Sequence, residues 1–191
     1  LACNTAGGSH HARTEQGAGF CTFNDVAVAI RVLLSERRIE TALVVDCDVH
    51  QGDGTAEIFH GDASVTTLSL HAERNYPVRK RASSIDIGFE DGTGDADYLQ
   101  ALAGVLPDLV DRLSPDIVFY NAGVDPHRDD RLGRLALSDD GLLARDRFVI
   151  SEVRRRKMPL VGVIGGGYGA DVEAIAARHA LLFKAAASAA P

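Results

Sequence analysis

The run Asp46-Cys47-Asp48-Val49-His50-Gln51-Gly52-Asp53-Gly54 concentrates carboxylates and an imidazole directly after the apolar stretch Ala42-Leu43-Val44-Val45. Along an extended chain alternate side chains share a face, so Asp46, Asp48 and His50 project together while Cys47 and Val49 turn toward the core. Carboxylates and an imidazole converging at one spot are costly without a cation, which points to a divalent metal site. His50 in register with Asp48 favours zinc, iron or manganese over magnesium. The competing reading is a magnesium ion beside a phosphate, as in phosphoryl-transfer enzymes. Asn121-Ala122-Gly123-Val124-Asp125 offers Asp125 as a third ligand. Two carboxylates and one imidazole neutralise a dication and acidify bound water less than three imidazoles do, so such a site needs a general base. Gly7-Gly8-Ser9-His10-His11-Ala12 presents two imidazoles for that task, with Asp46 and Asp53 as spare acids able to orient them. Gly165-Gly166-Gly167-Tyr168 lacks the Lys of a phosphate loop and delivers a phenol, which could stabilise an oxyanion. The plainer reading is a glycine turn with an edge tyrosine.

Elements must hold these groups in place. An unbroken apolar run reads as a buried strand of a parallel sheet, and its carboxyl end is where open α/β sheets collect ligands. Strands are expected at residues 42–48, 65–71, 116–122 and 159–164. Asn24 or Asp25 would cap a helix over Val26–Arg38 with one buried stripe at positions 26, 30, 33 and 34. Residues 96–113 read as a second helix kinked or broken at Pro107. Ser138 would open a third, running to about Arg156, and the Ala-rich segment 170–187 a fourth. This alternation implies one α/β domain over residues 1–191, with a mainly parallel sheet between helical layers.

Bulk properties narrow the function. The length suits a single domain, and 46% hydrophobic with 25% charged residues is ordinary for a globular protein. No apolar run is long enough to span a bilayer. A net charge of −7 argues against nucleic-acid binding. Cys3, Cys21 and Cys47 form no CxxC pair, so a reducing cytoplasm is the default expectation. The chain begins at Leu1 and meets a motif within a few residues, which reads as part of a longer polypeptide. Arg79-Lys80-Arg81 reads as a solvated loop, or a rim contact to an acidic partner. His71 is expected near the site; His60, His127 and His179 carry no assignment.

Together these motifs resemble the histone deacetylase superfamily, zinc amidohydrolases that share their three-layer αβα fold with arginase. The resemblance runs through Gly7–Ala12, Gly19-Phe20-Cys21-Thr22-Phe23-Asn24-Asp25 and the Asp46–Gly54 run. It continues with Ser69-Leu70-His71, Asn121–Asp125, Asp130-Arg131-Leu132-Gly133 and Gly166-Gly167-Tyr168. The surroundings of Tyr76-Pro77 and the segment Gly92-Thr93-Gly94-Asp95 are most similar to class IV members and bacterial relatives. By position, the resemblance implies that Asp48, His50 and Asp125 hold Zn2+, with Fe2+ the alternative. It implies that His10 pairs with Asp46 and His11 with Asp53, that Tyr168 polarises the carbonyl, and that Gly19, Phe20, Gly166 and Gly167 line an acyl-lysine channel. A structural K+ or Na+ would sit on main-chain oxygens of Asp46, Asp48, His50 and Leu70 and the Ser69 hydroxyl. Two departures stand out. The Gly-rich Asn-Pro-Leu segment of many class I and II members is absent, and family domains extend further at the N-terminus, where they supply early strands and a rim acid.

The implied activity is removal of acetyl or longer acyl groups from lysine side chains of proteins, the class IV resemblance leaning toward longer chains. An acylated small amine such as an acetylpolyamine is the alternative substrate, and a non-catalytic acyl-lysine binding module is the alternative of another class. An arginase-like two-metal cluster would need more strand-end ligands than this chain has. Neither the oligomeric state nor the protein target is legible.

Overall fold

The computed structural model describes residues 1–189. Its strands are β1 (Ala2–Cys3), β2 (Ala42–Asp46), β3 (Val65–Ala72), β4 (Ile85–Phe89), β5 (Ile117–Asn121) and β6 (Leu160–Val163). They form one sheet in the order β1-β6-β5-β2-β3-β4, every pair parallel. The helices α1 (Asp25–Ser35) and α2 (Asp53–Ile58) cover one face, and α3 (Asp95–Leu113), α4 (Asp139–Arg154) and α5 (Val172–Ser188) the other. The three layers are those expected. The strand β2 shows why its sequence does not alternate in polarity. Leu43 and Val45 pack with Tyr98, Leu102, Leu142 and Leu182 from the three-helix side. Ala42 and Val44 pack with Val26 and Ile30 of α1 on the other. Both faces of the strand are core, so both must be apolar.

Helix ends follow local chemistry. The Asn24 side chain accepts from Ala27 N–H at 3.0 Å and starts α1. Ser138 does the same for Gly141 N–H at 3.0 Å and starts α4. The first helix ends three residues short of the expected Arg38, where Arg37 takes φ 54°. The helix α3 runs unbroken through Pro107, so of the expected kink or break there is no break. A proline there forfeits a hydrogen bond and strains the turn before it, but Leu102, Leu106, Leu109 and Val110 are buried around it and hold the helix on the sheet. Leu102 has no exposed surface. We expect Leu102→Ala to lower unfolding free energy by about 2–5 kcal/mol; an unchanged denaturant midpoint would contradict this packing.

The elements β1, α2 and β4 were not legible in the pattern, and β2 stops at Asp46 rather than residue 48. Side chains replace the ladder beyond that point: Asp48 N–H donates to Asp46 Oδ1 at 3.1 Å, and His50 N–H to Asp48 Oδ1 at 2.9 Å. The chain thus folds its acids back over the end of its own strand. In the sheet order the path reverses between β2 and β5, and the segments following these two strands carry the candidate ligands. Among the described residues no helix is long and apolar enough to cross a membrane.

Candidate active site

Asp48, His50 and Asp125 meet beyond the carboxyl ends of β2 and β5, all buried, with one donor atom from each lying within 4.8 Å of the others. His50 Nδ1 is 3.0 Å from Asp48 Oδ1 and 3.0 Å from Asp125 Oδ2. The outer oxygens are tied to backbone: Val49 N–H donates to Asp125 Oδ1 at 2.8 Å and Gly166 N–H to Asp48 Oδ2 at 2.8 Å. Any side chain at position 166 would run into the Asp125 carboxylate, which is why this close approach uses glycine.

The electrostatics say what this cluster wants. Burial opposes charge on His50, but its hydrogen bonds to Asp125 and Asp48 prevail and push its pKa up to about 10. Burial and the neighbouring Asp48 charge push Asp125 up to about 7. Asp48 also pays for burial, but His10 and His50 hold it well below the usual carboxylate range. One buried carboxylate goes up and its neighbour down, as expected when like charges share a site. A proton on His50 Nδ1 is what balances them here, and a dication at the same point would take its place. Two oxygen donors and one imidazole fit a transition-metal dication.

Beside this cluster stand two histidine–carboxylate pairs. His10 Nδ1–H donates to Asp46 Oδ2 at 2.7 Å, and His11 Nδ1–H donates to Asp53 Oδ1 at 2.7 Å. The ring centroids are 4.1 Å apart. With Nδ1 engaged in each, Nε2 is the nitrogen left for chemistry. Asp46 also accepts from Asn121 Nδ2 at 3.0 Å, and Asp53 from Arg13 Nη2 at 2.7 Å. The two rings differ in charge. Burial disfavours a proton on His10, but Asp46 and Asp48 override it and raise its pKa to about 10. Burial also lowers His11, the cationic His10 lowers it further, and the hydrogen bond to Asp53 does not reverse the sum. One imidazole is held charged and the other neutral.

A cleft of about 480 Å3 opens over His11 and His50. Gly19, Phe20, Asn75, Tyr76, Leu132 and Tyr168 line it, with Arg74, Arg131 and Arg134 as its charged groups. Gly19 has φ +53°, and a Cβ there would collide with the His11 ring, so the loop lies directly against the imidazole. Tyr76 packs edge-on against His11 with centroids 4.8 Å apart, and Tyr168 stands 6.2 Å from the His50 ring. Among the described residues nothing bonds the Tyr168 hydroxyl, while its backbone is fixed by Asp130 Oδ2 at 2.6 Å from its N–H.

Residues 1–183 match the family model described as Histone deacetylase domain. The chain belongs to the histone deacetylase family. An uncharacterized protein of Picosynechococcus sp. is 49% identical over 97% of the chain and 62% of its own length. Histone deacetylase 2 of Arabidopsis thaliana is 36% identical over 87% of the chain and 44% of its own length. Among solved structures, acetylpolyamine aminohydrolase from Burkholderia pseudomallei superposes with TM-score 0.80 at 26% identity, covering 96% of this chain and 54% of that one. The HD domain of HDA15 gives TM-score 0.77 at 28% identity, covering 95% and 54%. The chain therefore spans between 44% and 62% of the length of these relatives.

Within this family framework the residues named from the sequence fall into three groups. Asp48, His50 and Asp125 converge; His10 and His11 meet Asp46 and Asp53; Gly19, Phe20 and Tyr168 line the cleft. Gly166 and Gly167, expected along the channel, lie beside the cleft, next to its wall residue Tyr168. Gly166 spends its N–H on Asp48 behind the ligands, and Gly167 faces an adjoining groove with Ile175 and Gly169. Of the residues assigned to a monovalent cation, Asp46 ends β2 opposite Ser69 in the β2–β3 register, Leu70 follows on β3, and Asp48 and His50 lie in the segment beyond β2; the Ser69 hydroxyl is 3.0 Å from His71 Nδ1. His71 thus reaches Ser69 from inside β3. In the basic run 79–81, Arg79 and Arg81 are exposed on a loop, as expected, while Lys80 Nζ donates to the carbonyls of Asn75 and Pro77 at 2.7 and 2.8 Å, strapping down the turn that presents Tyr76. Arg13, Asn121, Leu132 and the wall position of Tyr76 escaped the sequence reading. Arg13 lies one residue past the quoted Gly7–Ala12 motif, and Asn121 opens the quoted Asn121–Asp125 motif without any chemistry demanding it.

Proposed function

We propose that this protein hydrolyses the amide of an acylated lysine side chain with the help of a divalent metal. The observation that carries the reading is the convergence of Asp48, His50 and Asp125 beside two carboxylate-oriented histidines at the foot of an aromatic-walled cleft. Asp48, His50 and Asp125 would hold Zn2+ or Fe2+, which supplies Lewis acidity toward the acyl oxygen and the attacking water. Phe20 and Tyr76 flank the acyl-lysine stem and exclude water from it. His11, held through Nδ1 by Asp53, takes the water's proton on Nε2 and returns it to the leaving amine. His10, charged and pinned by Asp46, offsets negative charge as it develops. The Tyr168 hydroxyl donates to the oxyanion, an interaction strongest after attack.

A small acylated amine is a second reading, favoured by the likeness to acetylpolyamine aminohydrolase. Against it, Arg74, Arg131 and Arg134 ring the cleft, and a polyamine would carry extra ammonium groups past them. Assay of the metal-loaded full chain on acetyl-lysine peptides, long-chain acyl-lysine peptides and acetylpolyamines decides between these readings. Metal binding with turnover of none would leave a binding module. For the best substrate we expect Tyr168→Phe to lower kcat by roughly 10²–10³-fold with KM little changed; undiminished kcat would remove the phenol from the mechanism.

A further inference from the structure

The guanidinium of Arg145, on α4, is completely buried, and neither the proton chemistry nor substrate binding uses it. Its Nη1 donates to the Cys47 carbonyl at 3.1 Å and to the Gly123 carbonyl at 2.8 Å. Its Nε and Nη2 donate to Asp146 Oδ1 at 3.1 and 2.9 Å, and the same oxygen accepts from Tyr120 O–H at 2.6 Å. Cys47 adjoins the candidate ligand Asp48, and Gly123 lies two residues before the candidate ligand Asp125. These carbonyls sit just past the ends of β2 and β5, where the backbone has left the sheet. Among the described residues no backbone N–H reaches either one.

A buried charged pair is poor value as mere core, because apolar side chains of similar volume serve stability as well or better. What sets this one apart is where its protons go: a single nitrogen ties together the two segments that carry the ligands. Those segments touch at close quarters, since a Cβ on Gly123 would lie 2.6 Å from Asp48 Oδ2. A small slip between them would change the spacing of the two carboxylates.

We infer that Arg145, held by Asp146 and Tyr120, is a positioning residue that sets the separation of Asp48 and Asp125 from behind the sheet. The inference rests on the metal-site reading above and extends it to a residue that contacts neither ligand side chain. A lysine cannot substitute, because one ammonium lacks the planar fork needed to reach both carbonyls and Asp146 together.

The test compares the full chain with Arg145→Lys, Tyr120→Phe and the double variant Arg145→Met/Asp146→Leu. Three quantities are read: zinc affinity by chelator competition, the visible absorption spectrum of the cobalt-loaded protein, and the melting temperature without metal. We expect Arg145→Lys to weaken zinc binding by roughly 10–100-fold and to alter the cobalt spectrum, with Tyr120→Phe shifting both less and in the same direction. The double variant removes the buried charges together and is expected to stay folded yet bind zinc weakly, which covers the case in which the lysine variant does not fold. Native affinity and spectrum in the folded variants, whatever their melting temperatures, would overturn the inference. Failure of the unsubstituted chain to bind zinc or cobalt would instead bring down the metal reading, and this inference with it.

Discussion

Asp125→Asn is expected to abolish stoichiometric metal binding and to cut turnover of an acyl-lysine peptide about a thousandfold or more. The substitution keeps the shape of the side chain and its acceptor for Val49 N–H, so the loop after β5 stays in place. What disappears is one of the two negative charges that compensate a buried dication. The remaining Asp48 and His50 leave a dication undercoordinated and undercompensated. Lewis-acid stabilisation of the reacting oxygen is worth several kcal/mol, and each 1.36 kcal/mol is a factor of ten in rate. Metal analysis by mass spectrometry alongside the assay checks both halves. A variant that keeps its metal and its rate would place the ion, and the chemistry, elsewhere.

His11→Ala is expected to leave the metal bound and to lower kcat by roughly 10²–10⁴-fold. The pH profile separates this from general damage. A base must be neutral to act, and burial together with the His10 charge lowers the His11 pKa from its ordinary 6.5. The rate of the native protein, as kcat/KM, should therefore rise with pH through a value below 6.5 and be level at neutrality. In the variant that acid limb should vanish. Persistence of the same limb in His11→Ala would assign it to another group, and His11 would lose the role of base. Asp53 sets the tautomer of His11 and, against the cost of its burial, is held anionic by its hydrogen bonds with His11 and Arg13, so this pair is oriented at both ends.

Much of this site could be read before any fold was known, for a physical reason. Catalytic groups on a parallel sheet follow the strands that carry them, so a run such as Ala42–Val45 announces where Asp46, Asp48 and His50 will stand. The helices with strong caps, α1 and α4, were likewise legible through Asn24 and Ser138. What failed was whatever depends on distant partners. The strand β1 has two residues and exists only because β6 lies beside it. The helix α3 survives Pro107 through packing that no local rule contains. The bond from Gly166 N–H to Asp48 Oδ2 joins residues 118 apart in the chain, and no local pattern announces it. Arg145 gave no signal at all: in a helix with an alternating charge pattern it looks like solvated surface, and only the fold shows its side chain enclosed.

The most direct test of the whole account is anomalous scattering at the zinc edge from crystals of the full chain grown with one equivalent of zinc. One peak is expected, about 2.0–2.2 Å from an oxygen of Asp48, an oxygen of Asp125 and His50 Nδ1 together. A peak bound elsewhere, or turnover by protein that holds no divalent metal, would contradict it.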